Sequence, residues 1–285
     1  EAVRSTWLFA PGVDDMADTI FMIHGMWGGP GYWANFRGFL EPLGYRCVAT
    51  TLPYHDMPPD GVPDPRLGRT SVRDYADALE REIDAFDAPP ILLGHSMGGL
   101  LAQMLAARGR ARAAVLLAPA SPAGILALTP SVLRSFLPVM LKWGCWRKPM
   151  RQPFATAVYS MLHRLPPAEQ RATYDRFVHE SGRTACELGL WPFDPHHATR
   201  VDASAVTCPL LVIAGSEDRI TPARIVRQVA RKYGALATFR MFEDHAHWLV
   251  AEPGWQAIAQ SVADWLQLLP ASIERVHSPD RPAPC

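Results

Sequence analysis

Short, nearly uninterrupted apolar runs alternate along this chain with longer stretches whose apolar residues recur every three or four positions. The runs are Ile20–His24, Arg46–Leu52, Ile91–Gly94, Ala113–Ala118, Leu210–Ala214 and Thr238–Phe242. A strand covered on one face alternates apolar with polar residues, whereas a strand covered on both faces does not. Runs of the second kind, separated by helical stretches, predict an α/β fold with a mostly parallel central sheet and flanking crossover helices. Helix starts are legible between them. Ser71 followed by Asp74 has the form of a capping box, with Val72, Tyr75, Leu79, Ile83 and Phe86 on one face behind it. Thr221-Pro222 sets a cap before a first-turn proline, ahead of Ile225, Val226, Val229 and Tyr233. A last helix is expected from about Gly254 to Leu269, turning Trp255, Ile258, Val262, Trp265 and Leu269 inward.

The alternation lapses between about Ser121 and Ala205, where helical patterns occur without a strand. Thr129-Pro130 opens one helix through Val132, Phe136, Met140 and Trp143. Phe154 to Leu165 suggests a second and Pro166 to about Gly182 a third. The expected organisation is one discontinuous core, residues 1–120 and 205–270, with a helical insertion over residues 121–204. Thr6–Phe9 is a further candidate strand. Residues 271–285, broken by Pro279, Pro282 and Pro284, read as a flexible C-terminal tail.

Composition narrows the class. With 285 residues, 48% of them hydrophobic and 20% charged, the chain is globular. Lys+Arg and Asp+Glu are both 28, so there is no basic excess of the kind nucleic-acid binding needs. No apolar run approaches the ~20 residues of a membrane span. The opening residues Glu1-Ala2-Val3-Arg4 do not resemble a signal peptide. Cys47, Cys145, Cys186, Cys208 and Cys285 form no C-x-x-C pair, which fits reduced thiols and a cytoplasmic protein.

The chemistry concentrates in Gly94-His95-Ser96-Met97-Gly98. This G-x-S-x-G follows the apolar run Ile91-Leu92-Leu93 and opens a helical stretch. Such a turn needs glycines on either side because side chains there would clash, and it lifts a serine hydroxyl onto a helix N-terminus. Ser96 is the candidate nucleophile. A serine needs a base, and the base an orienting carboxylate. Asp218, just after the Leu210–Ala214 run, is the candidate acid, with Glu217 its neighbouring alternative. His247 is the candidate base, with His245 as a supporting or plain loop residue. His245-Ala246-His247 lacks a third ligand at evident spacing, so no metal is expected. Oxyanion donors are expected from the backbone N–H of Met97 and of Met26, the latter in the glycine-rich stretch His24-Gly25-Met26-Trp27-Gly28-Gly29.

Taken together, these four segments resemble the α/β-hydrolase superfamily over about residues 18–120 and 205–269. The resemblance implies an α/β-hydrolase fold with an inserted helical cap covering the nucleophile, and no cofactor. It also implies a two-strand hairpin ahead of Ile20, for which the chain offers only Thr6–Phe9. Serine at position 96 separates the chain from the superfamily's epoxide hydrolases and haloalkane dehalogenases, which use an aspartate.

The expected reaction is hydrolysis of a carboxylic ester, thioester or lactone with an apolar part, through an acyl-enzyme on Ser96. The same triad also serves carbon–carbon bond hydrolysis and acyl transfer. Peroxide or oxygen chemistry and a non-catalytic receptor are more distant alternatives. The partner is a small-molecule substrate, with a carrier-bound acyl thioester as a variant. Trp27, His95, Phe136, Met140 and Trp143 are candidate substrate contacts, the last three drawn from a larger set of apolar residues in the insertion. Lys142, Arg147, Lys148 and Arg151 follow closely and read either as a solvated face or as contacts for an anionic group or a lipid surface.

Overall fold

The computed structural model describes residues 18–269. The candidate strand Thr6–Phe9 and the tail 271–285 lie outside them. The elements run, in chain order, β1 Thr19–Ile23, α1 Ala34–Leu40, β2 Arg46–Ala49, α2 Val72–Ile83, β3 Ile91–His95, α3 Met97–Ala107 and β4 Ala113–Leu117. They continue with α4 Pro130–Met140, β5 Pro149–Met150, α5 Phe154–Ala157, α6 Pro167–Tyr174, β6 Glu180–Ser181 and α7 Gly182–Gly189. The last are β7 Leu210–Gly215, α8 Ala223–Lys232, β8 Ala237–Phe242 and α9 Trp255–Leu266.

Among the described residues, six strands form one sheet in the order β2-β1-β3-β4-β7-β8. Every pair in it is parallel. The central strands β3, β4 and β7 are buried along their whole length, which explains their unbroken apolar sequences. α3 sits deepest of the helices. All of its residues from Met97 to Ala106 are buried, so its sequence carries no polar face. α2 is amphipathic by contrast. Its start is held as the sequence implied: Ser71 Oγ accepts from Arg73 N at 3.2 Å, and the Asp74 carboxylate accepts from Ser71 N at 2.8 Å.

The chain leaves β1 toward β2 on one side, and β3 lies on the other. The crevice beyond the carboxyl ends of β1 and β3 is therefore a topological switch point, where open parallel sheets bind ligands. The His24-Gly25 loop and Ser96 both emerge there.

Residues between β4 and β7 hold helices together with a two-stranded antiparallel ribbon of β5 and β6 that periodicity does not announce. Two-residue strands are too short to show alternation. The expected helix from Pro166 stops at Tyr174, after which the chain turns into β6 and then α7. Ser181 Oγ caps α7 by accepting from Thr184 N at 3.2 Å.

Polar contacts tie this segment to the sheet side of the molecule. Glu187 accepts from Ser71 Oγ at 2.9 Å and from Val72 N at 2.8 Å. Ser181 Oγ and Thr184 Oγ1 both donate to the carbonyl of Thr70, at 2.6 and 2.9 Å. Deepest is Glu180, which accepts from Tyr75 Oη at 2.7 Å and faces His55 Nε2 at 3.1 Å. The other His55 nitrogen, Nδ1, faces the carbonyl of Pro53 at 3.0 Å. Both ring nitrogens thus meet acceptors, the arrangement of a doubly protonated imidazolium. Burial alone would push the His55 imidazole down, but the Glu180 carboxylate holds it above its ordinary value. Burial would push Glu180 up, yet His55, Tyr75 and the Ser181 N–H hold it below the usual carboxylate range.

Candidate active site

Ser96 stands between β3 and α3 at φ 56° and ψ −118°, a left-handed conformation for a non-glycine residue. Its backbone is pinned from both sides. Ser96 N donates to the Leu117 carbonyl at 2.9 Å, and Ser96 O accepts from Gly99 N and Ala120 N, both at 2.9 Å. The neighbouring glycines are steric necessities. A Cβ at Gly94 would sit 2.2 Å from Gly98 O, and one at Gly98 would sit 2.1 Å from Ile23 O. The turn therefore holds a strained serine because strands on both sides over-determine it.

Asp218 follows β7 and His247 follows β8, and the two meet below the cavity. His247 Nδ1 lies 2.8 Å from Asp218 Oδ2, with both side chains buried. Asp218 Oδ1 accepts from Ile220 N and Thr221 N, each at 2.8 Å, and Thr221 Oγ1 lies 2.7 Å from Oδ2. Burial pushes the Asp218 carboxyl up, but His247 and the Thr221 hydrogen bonds outweigh it and hold the carboxyl below its ordinary value. An ionised carboxylate at Nδ1 fixes that nitrogen as the donor. His247 Nε2 is then the basic atom, and it is buried with no hydrogen-bond partner. Glu217, the alternative acid, points instead to Arg164 at 3.3 Å and to solvent.

The supporting residues were only partly legible. His95 donates from Nε2 to the His247 carbonyl at 2.8 Å, so it steadies the loop that carries His247. Burial, and then the neighbouring His247, pushes His95 down to about 3 and keeps it neutral. His245 does not join His247, because its Nδ1 faces the Glu243 carbonyl at 2.8 Å. Thr221, read from sequence only as a helix cap, braces the carboxylate. Glu252 accepts from Ala246 N at 2.9 Å and so grips the residue before His247, while its Oε2 is buried without a partner. Burial pushes this carboxyl up to about 8.

The loop after β1 lies against Ser96. A Cβ on Gly25 would meet Ser96 Cβ at 2.9 Å. Gly28 N donates to Gly25 O at 3.2 Å, closing a turn around Met26 and Trp27. Met26 lines the cavity beside Ser96. Met97, the first residue of α3, carries one of the N–H groups that a helix start leaves without an internal partner. His24 accepts from Leu52 N at Nε2, 3.2 Å away, and donates from Nδ1 to Gly25 O at 2.9 Å. Trp27 also ties the loop to the insertion. It adopts φ 60°, its indole Nε1 donates to Met150 O at 3.1 Å, and its carbonyl accepts from Val178 N at 3.0 Å. One residue thus bridges the β1 loop to both strands of the small ribbon's neighbourhood.

A cavity of about 240 Å³ opens over Ser96 and His247. Of the candidate substrate contacts, Trp27, His95, Phe136 and Met140 line it. Trp143 does not: it is 86% exposed and packs edge-on against Trp146 at 5.6 Å. The reason is local. α4 ends at Met140, so the helical spacing that aligned Trp143 with Phe136 and Met140 no longer applies. Met161, Leu188, Leu190, Trp191, Ile220 and Trp248 complete much of the wall and were not singled out from sequence. Among the described residues, no Asp, Glu, Lys or Arg side chain lines it.

The sequence profile of the Alpha/beta hydrolase family matches residues 20–261. No curated protein matches the sequence. Among solved structures, a monoacylglycerol lipase of Paleococcus ferrophilus superposes with a TM-score of 0.65 at 21% identity, covering 88% of this chain and 95% of its own. A methylesterase from Arabidopsis superposes at 0.66 with 14% identity, over 88% of this chain and 100% of that one. A thermophilic esterase from Thermogutta terrifontis gives 0.63 at 19% identity, over 88% and 90%. At these identities the likeness is one of fold.

Proposed function

The chain belongs to the alpha/beta hydrolase family, and from that premise we propose that it is a serine esterase for neutral carboxylic esters with a sizeable apolar part. The observation that carries the reading is the buried 2.8 Å contact between His247 Nδ1 and Asp218, which leaves Nε2 unpartnered beside a cavity that Ser96 also lines. Ser96 Oγ attacks the ester carbon and passes its proton to His247 Nε2. Asp218 holds the ring in the right tautomer and stabilises the imidazolium. The N–H groups of Met26 and Met97 receive the oxyanion. The C–O bond breaks, the imidazolium protonates the leaving alcohol, and water then cleaves the acyl-enzyme with His247 again as base. Every group in this cycle is supplied by the chain itself.

The segment over residues 121–204 serves as the cap and selects the substrate. A wall without charged side chains offers no counter-ion, so an acyl or alcohol part bearing a carboxylate or phosphate would be desolvated without compensation. Reduced thiols at Cys47, Cys145, Cys186 and Cys208 favour a cytoplasmic setting.

The deciding experiment is initial rates on p-nitrophenyl esters of increasing chain length, run beside Ser96→Ala. Neutral medium-length esters are expected to turn over, and the variant to lose roughly 10³-fold or more in kcat. A covalent fluorophosphonate adduct should form on the wild type alone. Undiminished turnover by a folded Ser96→Ala protein would overturn the mechanism.

A further inference from the structure

The stretch after β4 carries a charge and exposure pattern that ester cleavage does not require. In a chain with 28 basic and 28 acidic residues, no Asp or Glu occurs from residue 88 to residue 168. The segment nevertheless brings six cations after β4: Arg134, Lys142, Arg147, Lys148, Arg151 and Arg164. Four of them are engaged within the molecule, Lys148 only through its Nζ, which donates to the Trp143 carbonyl at 3.2 Å. Arg164 pairs with Glu217, Arg151 donates to the carbonyls of Pro59 and Tyr174, and Arg134 lies 3.9 Å over the Tyr159 ring. Lys142, Arg147 and Lys148 are exposed, gathered in the turn between α4 and β5.

Beside them the surface is apolar. Leu126, Leu128, Leu133 and Leu137 line the cavity over Ser96, yet each is 50% to 55% exposed. They are the rim of its mouth. Leu141 and Trp143 extend the apolar surface past the end of α4, at 73% and 86% exposure, and Trp146 packs on Trp143. An apolar rim of this kind is costly in water and marks an interaction surface.

We propose that this face, the rim leucines with Leu141 and the Trp143–Trp146 pair, docks on the surface of an anionic lipid bilayer. Exposed tryptophans suit the boundary between headgroups and acyl chains, because one part of the indole is apolar and its N–H is polar. Lys142, Arg147 and Lys148 then meet anionic headgroups. The mouth opens within the docked face, so an apolar ester passes from lipid to Ser96 without crossing water. A second copy of the chain is the poorer occupant, since pairing this face with itself would oppose the cations of a segment that holds no Asp or Glu. The passage of substrate rests on the proposed function; the docking does not.

The test is co-sedimentation of the full chain with vesicles of phosphatidylcholine alone and of phosphatidylcholine with roughly one-third phosphatidylserine. Binding to the anionic vesicles is expected, weakening as salt is raised. Each cation near such a surface is worth about a fivefold change in partitioning, so K142Q/R147Q/K148Q together should weaken binding by roughly a hundredfold. L141S/W143S should weaken it on both compositions. Neither variant touches the cavity wall, so both should hydrolyse a soluble short-chain ester at the wild-type rate. Ser96→Ala should still sediment, which separates failure of the docking from failure of the esterase reading. Absence of sedimentation with either vesicle would overturn the proposal. So would a triple variant that binds as well as wild type. A dimer in light scattering that L141S/W143S abolishes, without vesicle binding, would assign the face to a second copy instead.

Discussion

Glu252→Gln isolates one buried carboxyl whose cost can be worked out. Glu252 is fully buried, its Oε1 accepts from Ala246 N at 2.9 Å, and its Oε2 has no partner. Burial pushes it from 4.5 up to about 8, so at neutral pH it is folded in its protonated form. Between these two values the folded chain binds a proton that the unfolded chain has lost. Stability therefore falls as pH rises from about 4.5 to about 8 and levels off above. The gap between 4.5 and about 8 corresponds to about 5 kcal/mol at the alkaline plateau. At pH 7 the share already lost is about 3 kcal/mol, since most of the gap in pKa has been crossed. Glutamine keeps the shape and the acceptor for Ala246 N but cannot titrate. The assay is urea unfolding of both proteins across this pH range, taking the difference of the two stability curves so that all other groups cancel. The variant should gain on the wild type by roughly 3–5 kcal/mol between acid and alkaline conditions. Because Ala246 precedes His247, the variant should also preserve ester turnover. Parallel curves would refute the argument, for they would mean that Glu252 ionises in the folded protein as it does in water.

Glu180→Ala strands a buried His55 and should cost about 3–5 kcal/mol in chemical denaturation; the wild-type pair should lose its contribution in acid as Glu180 takes a proton, and at high pH as His55 releases one. Gly98→Ala places a Cβ 2.1 Å from Ile23 O, so a melting experiment should find it destabilised by about 3 kcal/mol or more with Ser96 still present. Phe136→Ala removes a ring that lines the cavity 6.5 Å from Trp27. Its kcat/KM for the shortest substrates should fall about tenfold while longer esters gain, so the preferred chain length moves upward.

What could be read from the chain was whatever depends on neighbours in sequence. The central strands declare themselves because β3, β4 and β7 are covered on both faces. The elbow declares itself because two glycines and a serine must lie within five residues to make that turn. The helix α1 was not anticipated: it is only seven residues long and contains Gly38, so its pattern is too brief to register. The ribbon of β5 and β6 escaped for the same reason. Long-range polar contacts escaped for a different one. Glu180 meets partners 105 and 125 residues away, and nothing around a single glutamate names Tyr75 or His55. Trp143 misled because periodicity continues on paper after the backbone has left the helix at Met140.

The site joins two materials with different tolerances. Its polar half is built from loops at the ends of β1, β3, β7 and β8, and almost every side chain there has its partners within those loops: Thr221 for Asp218, His95 for the His247 carbonyl, Glu252 for Ala246 N. Its apolar half comes from the segment between β4 and β7, fastened to the rest through Glu180, Glu187 and the Thr70 carbonyl. A leucine exchanged along the cavity rim touches none of those partners, so such changes should alter which ester enters and leave the alignment of His247 alone. Trp27 is where this separation ends. It lines the cavity, bonds Met150 and Val178, and follows Met26 in the loop packed against Ser96. A change there has to act on what the cavity admits, on the seating of the insertion and on the loop against Ser96 at once, which makes it the position through which the two halves are coupled.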